Sequence, residues 1–245
     1  MVRYFALCCG VVCHLSFAVA VFVMAIALFG GMDLCPASRS LAGSALWDAM
    51  LVLQFPVLHS LLLSKRGRGA LERFVPGEVG QRLVTTTFVI VASLQLIVLF
   101  GAWAPLGVFR WEPSGLVLEI WTGIYAAAWA LLAVAMWNAG LGTQMGYLGW
   151  WSVWRGRSPR YGSFPQHGLY KVCRHPVYFA MVLVALTGPV WTADHLVVAC
   201  VFSAYCIVGP WMKDRRYRAR FGDEFERYQQ SVPFFPLLNV FSKTP

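Results

Sequence analysis

From Val177 to Trp211 the chain reads VYFAMVLVALTGPVWTADHLVVACVFSAYCIVGPW. It is apolar for about 35 residues, with interruptions near Gly188-Pro189 and at Thr192, Asp194 and His195. A bilayer-spanning helix needs only about 20 residues. Proline after glycine breaks a helix, and in lipid every backbone group must be paired within a helix or a closed barrel. The stretch is therefore predicted to be a tight helical hairpin in a membrane.

Four more apolar blocks lie upstream: Tyr4 to Gly31, about Leu46 to Leu63, Leu83 to Trp103, and Leu116 to Ala139. Each is long enough to span. The first exceeds a signal-peptide apolar region, and no small-residue cleavage site follows it. With 58% hydrophobic and 13% charged residues, the expected fold class is an all-α polytopic membrane protein. It has about six transmembrane helices, including the C-terminal helical hairpin. The expected organisation is a single integral membrane domain over 1-245. Residues 1-45 form an additional N-terminal span and loop, 46-139 the core spans, and 140-245 the functional loop, hairpin and tail.

Six spans place the N-terminus, the 65 to 82 loop, the 140 to 174 loop and the tail after Met212 on one face. Those segments hold 18 of the 20 basic residues, and the opposite loops hold only Arg39 and Arg110. The positive-inside rule then predicts a cytoplasmic N-terminus and C-terminus, and a bacterial inner membrane is the expected location. The net charge of +9 is accounted for by topology and by contact with anionic membrane lipid, so no nucleic acid partner is implied. The seven cysteines show neither a disulfide framework nor zinc spacing. Asp48 and Glu119 lie near helix ends and are expected to face head-group water.

The long polar stretch is 140 to 175. It opens with Trp150, Trp151 and Trp154, suited to an interfacial helix, and continues through the turn-rich residues 156–162. Long structured loops concentrate function. The tail from Met212 to Ser231 carries Tyr217, Phe221, Phe225 and Tyr228 at helical spacing. It is predicted to be a helix broken near Phe221-Gly222-Asp223-Glu224 and folded back onto the loop.

The loop enters the hairpin through Gly168-Leu169-Tyr170-Lys171-Val172-Cys173-Arg174-His175-Pro176-Val177-Tyr178. Pro176 suits the first helical turn, which leaves Arg174 and His175 at a helix N-terminus that favours an anion. Arg174 can equally snorkel to head groups, and His175 can serve as a cap. His59 is an ionisable side chain inside a span, which by default is a functional candidate with a partner to be found. A packed histidine bonded to a neighbouring helix is the competing reading.

These motifs, in order Gly-Leu-Tyr, Arg-His-Pro-x-Tyr, Phe-Gly-Asp-Glu-Phe-x-x-Tyr and Val-Pro, resemble the isoprenylcysteine carboxyl methyltransferase-like membrane methyltransferases. Leu58-His59-Ser60 followed by Arg73-Phe74-Val75-Pro76 makes the chain look most like the bacterial methanethiol S-methyltransferases within that superfamily. The resemblance covers roughly residues 50 to 236. It implies S-adenosyl-L-methionine in a cytoplasmic pocket closed by the tail, with Phe164, Pro165, Gln166, Tyr170, His175 and Tyr178 at the cofactor site. The acceptor it implies is a small thiol or other lipophilic substrate arriving from the membrane. A thiolate is the nucleophile in such a transfer, so Arg174 as a cation and His59 as a base are the candidate catalytic residues.

The chain departs from the family at the two adjacent acidic residues before the tail's Phe-Gly, where it has Lys213 and Asp214. Either Asp214 takes over cofactor binding or the cofactor's carboxylate end is bound differently. Gly209 stands where the prenylcysteine enzymes carry an arginine, which disfavours a prenylcysteine substrate. The alternatives are a non-methylating, reductase-like member of the fold, or a haem-binding or structural membrane protein using His14, His59, His175 or His195.

Overall fold

The computed structural model describes residues 1–35, 40–75 and 77–236. Arg39, Pro76 and Lys243, which entered the charge and motif readings above, lie outside them. The described helices are α1 (Val2–Phe29), α2 (Leu41–Leu62), α3 (Lys65–Arg73), α4 (Glu78–Gly101), α5 (Gly115–Ala139), α6 (Leu141–Gln144), α7 (Tyr147–Trp154), α8 (Pro176–Leu186), α9 (Ala193–Phe221) and α10 (Asp223–Ser231). A 3-10 turn covers Gly168–Lys171, and two-residue strands β1 (Arg110–Trp111) and β2 (Trp191–Thr192) pair antiparallel.

Five of these helices, α1, α2, α4, α5 and α9, are long and apolar enough to cross a membrane. The molecule is thus an all-α, multi-pass membrane protein. The hairpin breaks where Gly188-Pro189 predicts, between α8 and α9. Its opening helix has only 11 residues, about 16 Å at 1.5 Å per residue, roughly half the hydrocarbon thickness. α9 instead runs for 29 residues into the charged tail.

The chain divides into two compact units. In the first (Met1–Pro113, Leu141–Tyr161, Pro189–Val198), α1 packs on α4 and α7. Gly10 permits the approach of α1 to α7, because a Cβ there would meet the Trp150 ring at 2.6 Å. The Trp150 indole N–H donates to His14 Nε2 at 3.1 Å. Thr86 locks α7 to α4 by donating to the Gly146 carbonyl and accepting the Trp150 backbone N–H. Asp48 corrects the expectation of a solvated carboxylate: it is buried and accepts the Ala104 N–H at 2.9 Å. Glu119 is exposed. The segment at 65 to 73 is the amphipathic helix α3, N-capped by Ser64 and anchored by buried Leu71.

The second unit (Ser114–Gly140, Gly162–Gly188, Ala199–Pro245) packs α5 against α8 and the 3-10 turn. Gly168, at φ +56°, lies hard against the Asn138 side chain, whose Oδ1 accepts the Leu169 N–H at 2.8 Å. A side chain at Gly168 has no room, so the turn is pinned to the end of α5. The hairpin arms meet where a Cβ on Gly209 would come within 3.2 Å of the Tyr178 ring.

Candidate functional site at the loop and tail of the second unit

The anion at the start of α8 is the chain's own. Pro176 occupies the first turn, and His175 caps α8 with backbone alone. Its side chain turns to α9, placing Nε2 3.0 Å from Asp214 Oδ1. Arg174 Nε lies 3.2 Å from Asp214 Oδ2. All three residues are 2 to 3% exposed. Asp214 therefore has both oxygens committed to two neighbouring side chains, and neither pairing is aligned as a good hydrogen bond.

Arg174 also holds the tail. Its Nη1 donates to the carbonyls of Gln229 (2.8 Å) and Val232 (3.4 Å), which α10 leaves open at its C-terminal end. Its backbone N–H donates to the Pro233 carbonyl, and its guanidinium lies over the Phe234 ring. Burial pulls the guanidinium pKa down and Asp214 pulls it back up. Burial also takes His175 from 6.5 to about 4, against the opposing pull of Asp214, so the imidazole is neutral at physiological pH. With Nε2 turned to Asp214, its Nδ1 is buried without a hydrogen-bond partner among the described residues.

Phe164 is the plug between loop and tail. Its ring lies 5.1 to 6.1 Å from those of Tyr217, Phe221, Phe225 and Tyr228. The period-three-and-four aromatic stripe of the tail is thus the face that folds back, as the spacing predicts. Gly222, at φ +53°, makes the break between α9 and α10. The Tyr228 hydroxyl donates to the Tyr170 carbonyl at 2.8 Å. Pro165 is half-buried, and Gln166 reaches Glu224 at the surface. Cys173 is buried, its thiol pushed up to about 11 by burial, which keeps it protonated and unreactive.

Tyr170 and Tyr178 belong to a group that the motifs did not reveal. With Tyr217 they surround Lys213, whose Nζ lies 5.9, 5.8 and 5.4 Å from the three ring centroids. The Tyr170 hydroxyl is buried with no hydrogen-bond partner among the described residues. The signal available beforehand was a lysine beside an aspartate in an aromatic-rich helix; the convergence of three tyrosines from three elements needs the fold. Of the remaining candidates, His59 belongs to the first unit, where its ring lies between Phe55 (5.0 Å) and Phe88 (4.9 Å).

Fold and site together define a multi-pass membrane protein with a tail-clamped polar cluster beside a tyrosine cage. No protein-family model and no solved structure matches the chain. Curated sequences do, and they are methyltransferases. The methanethiol S-methyltransferase of Crocosphaera subtropica is 26% identical over 237 residues, covering 94% of this chain and 91% of that protein. Methanethiol S-methyltransferase 1 of Bradyrhizobium diazoefficiens is 28% identical over 236 residues, covering 94% and 81%. The methanethiol S-methyltransferase of Mycobacterium tuberculosis is 27% identical over 240 residues, covering 95% and 96%. These likenesses bear out the resemblance read from the motifs and support a methyltransferase enzyme of the membrane.

Proposed function

We propose that the protein transfers a methyl group from S-adenosyl-L-methionine to a small thiol of the methanethiol class at the membrane. The observation that carries this reading is the cage of Tyr170, Tyr178 and Tyr217 beside the Asp214 cluster. Aromatic faces stabilise a sulfonium as they do an ammonium. When bound, S-adenosyl-L-methionine supplies an electrophilic methyl whose C–S bond breaks, with the electron pair passing to sulfur, as an acceptor thiolate forms its own C–S bond. Tyr170, His175 and Tyr178 would hold it, with Tyr217 joining them. Two buried polar atoms, the Tyr170 hydroxyl and His175 Nδ1, are open to it.

Arg174 acts as a clamp in this reading. With its donors directed to Asp214 and the tail carbonyls, it holds the tail that keeps water from the site. Asp214 serves the same end, fixing Arg174 and orienting His175. Alignment of nucleophile and methyl in a water-poor site is the main source of acceleration. The asymmetry of basic residues supports an arrangement with both termini and the site on the cytoplasmic side. A haem reading loses two candidates: His14 accepts the Trp150 N–H, and the His195 ring pairs with the Val190 carbonyl.

The test is calorimetric titration of the detergent-purified full-length chain with S-adenosyl-L-methionine and S-adenosylhomocysteine, followed by assay of dimethyl sulfide release from methanethiol. Binding and turnover in the wild type, with turnover abolished in His175→Ala and Tyr178→Ala at intact folding, are the expected results. Full turnover in those variants removes the site assignment.

A further inference from the structure

We propose that Lys213 is the internal occupant of a tyrosine cation cage and so sets the preference of the site between a cationic and a neutral ligand. The inference rests on the methyl-transfer reading for the identity of the ligands, and on geometry for the cage. Three rings within 6 Å of one ammonium is the arrangement that proteins use for quaternary ammonium ligands. Here the rings come from the 3-10 turn, α8 and α9.

Lys213 has no carboxylate within ion-pair distance among the described residues, and adjacent Asp214 is spent on Arg174 and His175. The negative faces of the three tyrosines therefore supply counter-charge to the ammonium. They are also the feature that a sulfonium seeks. Two cations a few ångströms apart in a partly desolvated cage repel, so a cationic ligand enters only when Lys213 withdraws. The withdrawal is feasible, because Lys213, Tyr178 and Tyr217 are partly exposed and the four-carbon stem is flexible. A neutral thioether carries no charge to be repelled. Lys213 thus weakens the cationic donor relative to the neutral product of the same reaction and makes the site prone to product inhibition.

The experiment is titration of wild type, Lys213→Met and Lys213→Gln, as full-length protein in detergent, with S-adenosyl-L-methionine, S-adenosylhomocysteine and tetramethylammonium. Thermal melting is followed in parallel, and Lys213→Gln serves where Lys213→Met does not fold. Removal of the charge is expected to tighten the cationic nucleoside by about tenfold while the neutral one changes by less than about twofold. Adding Tyr217→Leu should cancel the gain. Equal gains for both nucleosides, or no gain for either, overturn the role of Lys213 and leave the methyl-transfer reading standing. If no protein binds either nucleoside, that reading fails, and tetramethylammonium decides the cage: tighter binding by Lys213→Met upholds it, and unchanged binding overturns it.

Discussion

Helix α9 carries two buried aspartates, Asp194 near its start and Asp214 near its end, each 2% exposed and each close to a histidine in sequence or space. Asp194 is held by neutral groups on fixed backbone and ring positions. It accepts from the Trp103 indole at 2.9 Å and from the Leu106 N–H at 3.1 Å. The neighbouring His195 ring stacks on Trp191 and pairs with the Val190 carbonyl. Asp214 instead faces a guanidinium and an imidazole at ion-pair distances with imperfect alignment, beside polar atoms that have no hydrogen-bond partner among the described residues. A carboxylate satisfied by donors that cannot move closes a fold. One paired with buried side chains in imperfect alignment, next to open hydrogen-bonding capacity, marks a place where a ligand can enter.

The sharpest way to break this contrast is to neutralise each aspartate. Asp214→Asn leaves Arg174 buried and uncompensated, and should cost about 3 to 5 kcal/mol. Asp194→Asn retains one accepting oxygen and misplaces one donor, which should cost about 1 to 3 kcal/mol. Denaturant unfolding in detergent micelles measures both, and equal losses would erase the distinction. Limited proteolysis should also release the tail after α9 in Asp214→Asn and leave it protected in Asp194→Asn.

Acid sharpens the comparison at His175. Its folded pKa, about 4, lies below the ordinary 6.5. The stability that comes from keeping it neutral is therefore fully present above about pH 6.5 and is lost as pH falls through about 4. Wild-type stability should decline over that window, and His175→Gln, which cannot charge, should flatten the decline. An unchanged slope in the variant would show that the acid sensitivity originates elsewhere.

Much of this is legible in the sequence. Apolar block lengths located α1, α2, α4 and α5, missing mainly first turns, such as the small-residue Leu41–Ala45 and the polar Glu78–Arg82, because helices continue past the hydrocarbon limit. Gly188-Pro189 marked the hairpin break, and the aromatic stripe of the tail marked its docking face. The shortness of α8 was not legible, since helix length inside an apolar run depends on packing that hydropathy does not record. Nor was the Lys213 cage, because Tyr170, Tyr178 and Tyr217 are far apart in sequence and meet only through the hairpin and the folded-back tail. Arg174 stood out by motif, but its donors go to carbonyls of the α10 end that no motif names.

Smaller differences between the two ends of α9 come from single hydroxyls. Thr192 donates to the Gly31 carbonyl and accepts the His195 N–H, so it caps the helix and ties it to the end of α1. Thr192→Val removes both bonds and should cost about 1 to 2 kcal/mol. Tyr228→Phe removes one bond, to the Tyr170 carbonyl, and keeps the ring packed on Phe164. Its cost should be about 1 kcal/mol or less. Yet that bond steadies the turn that presents Tyr170 to the cage, so Tyr228→Phe should weaken binding of a caged cation by more than its small effect on melting implies. Thr192→Val should do the reverse, lowering stability more and leaving ligand affinity alone. If both variants change melting and binding in the same proportion, the two ends of α9 are equally structural, and the division of labour along the helix fails.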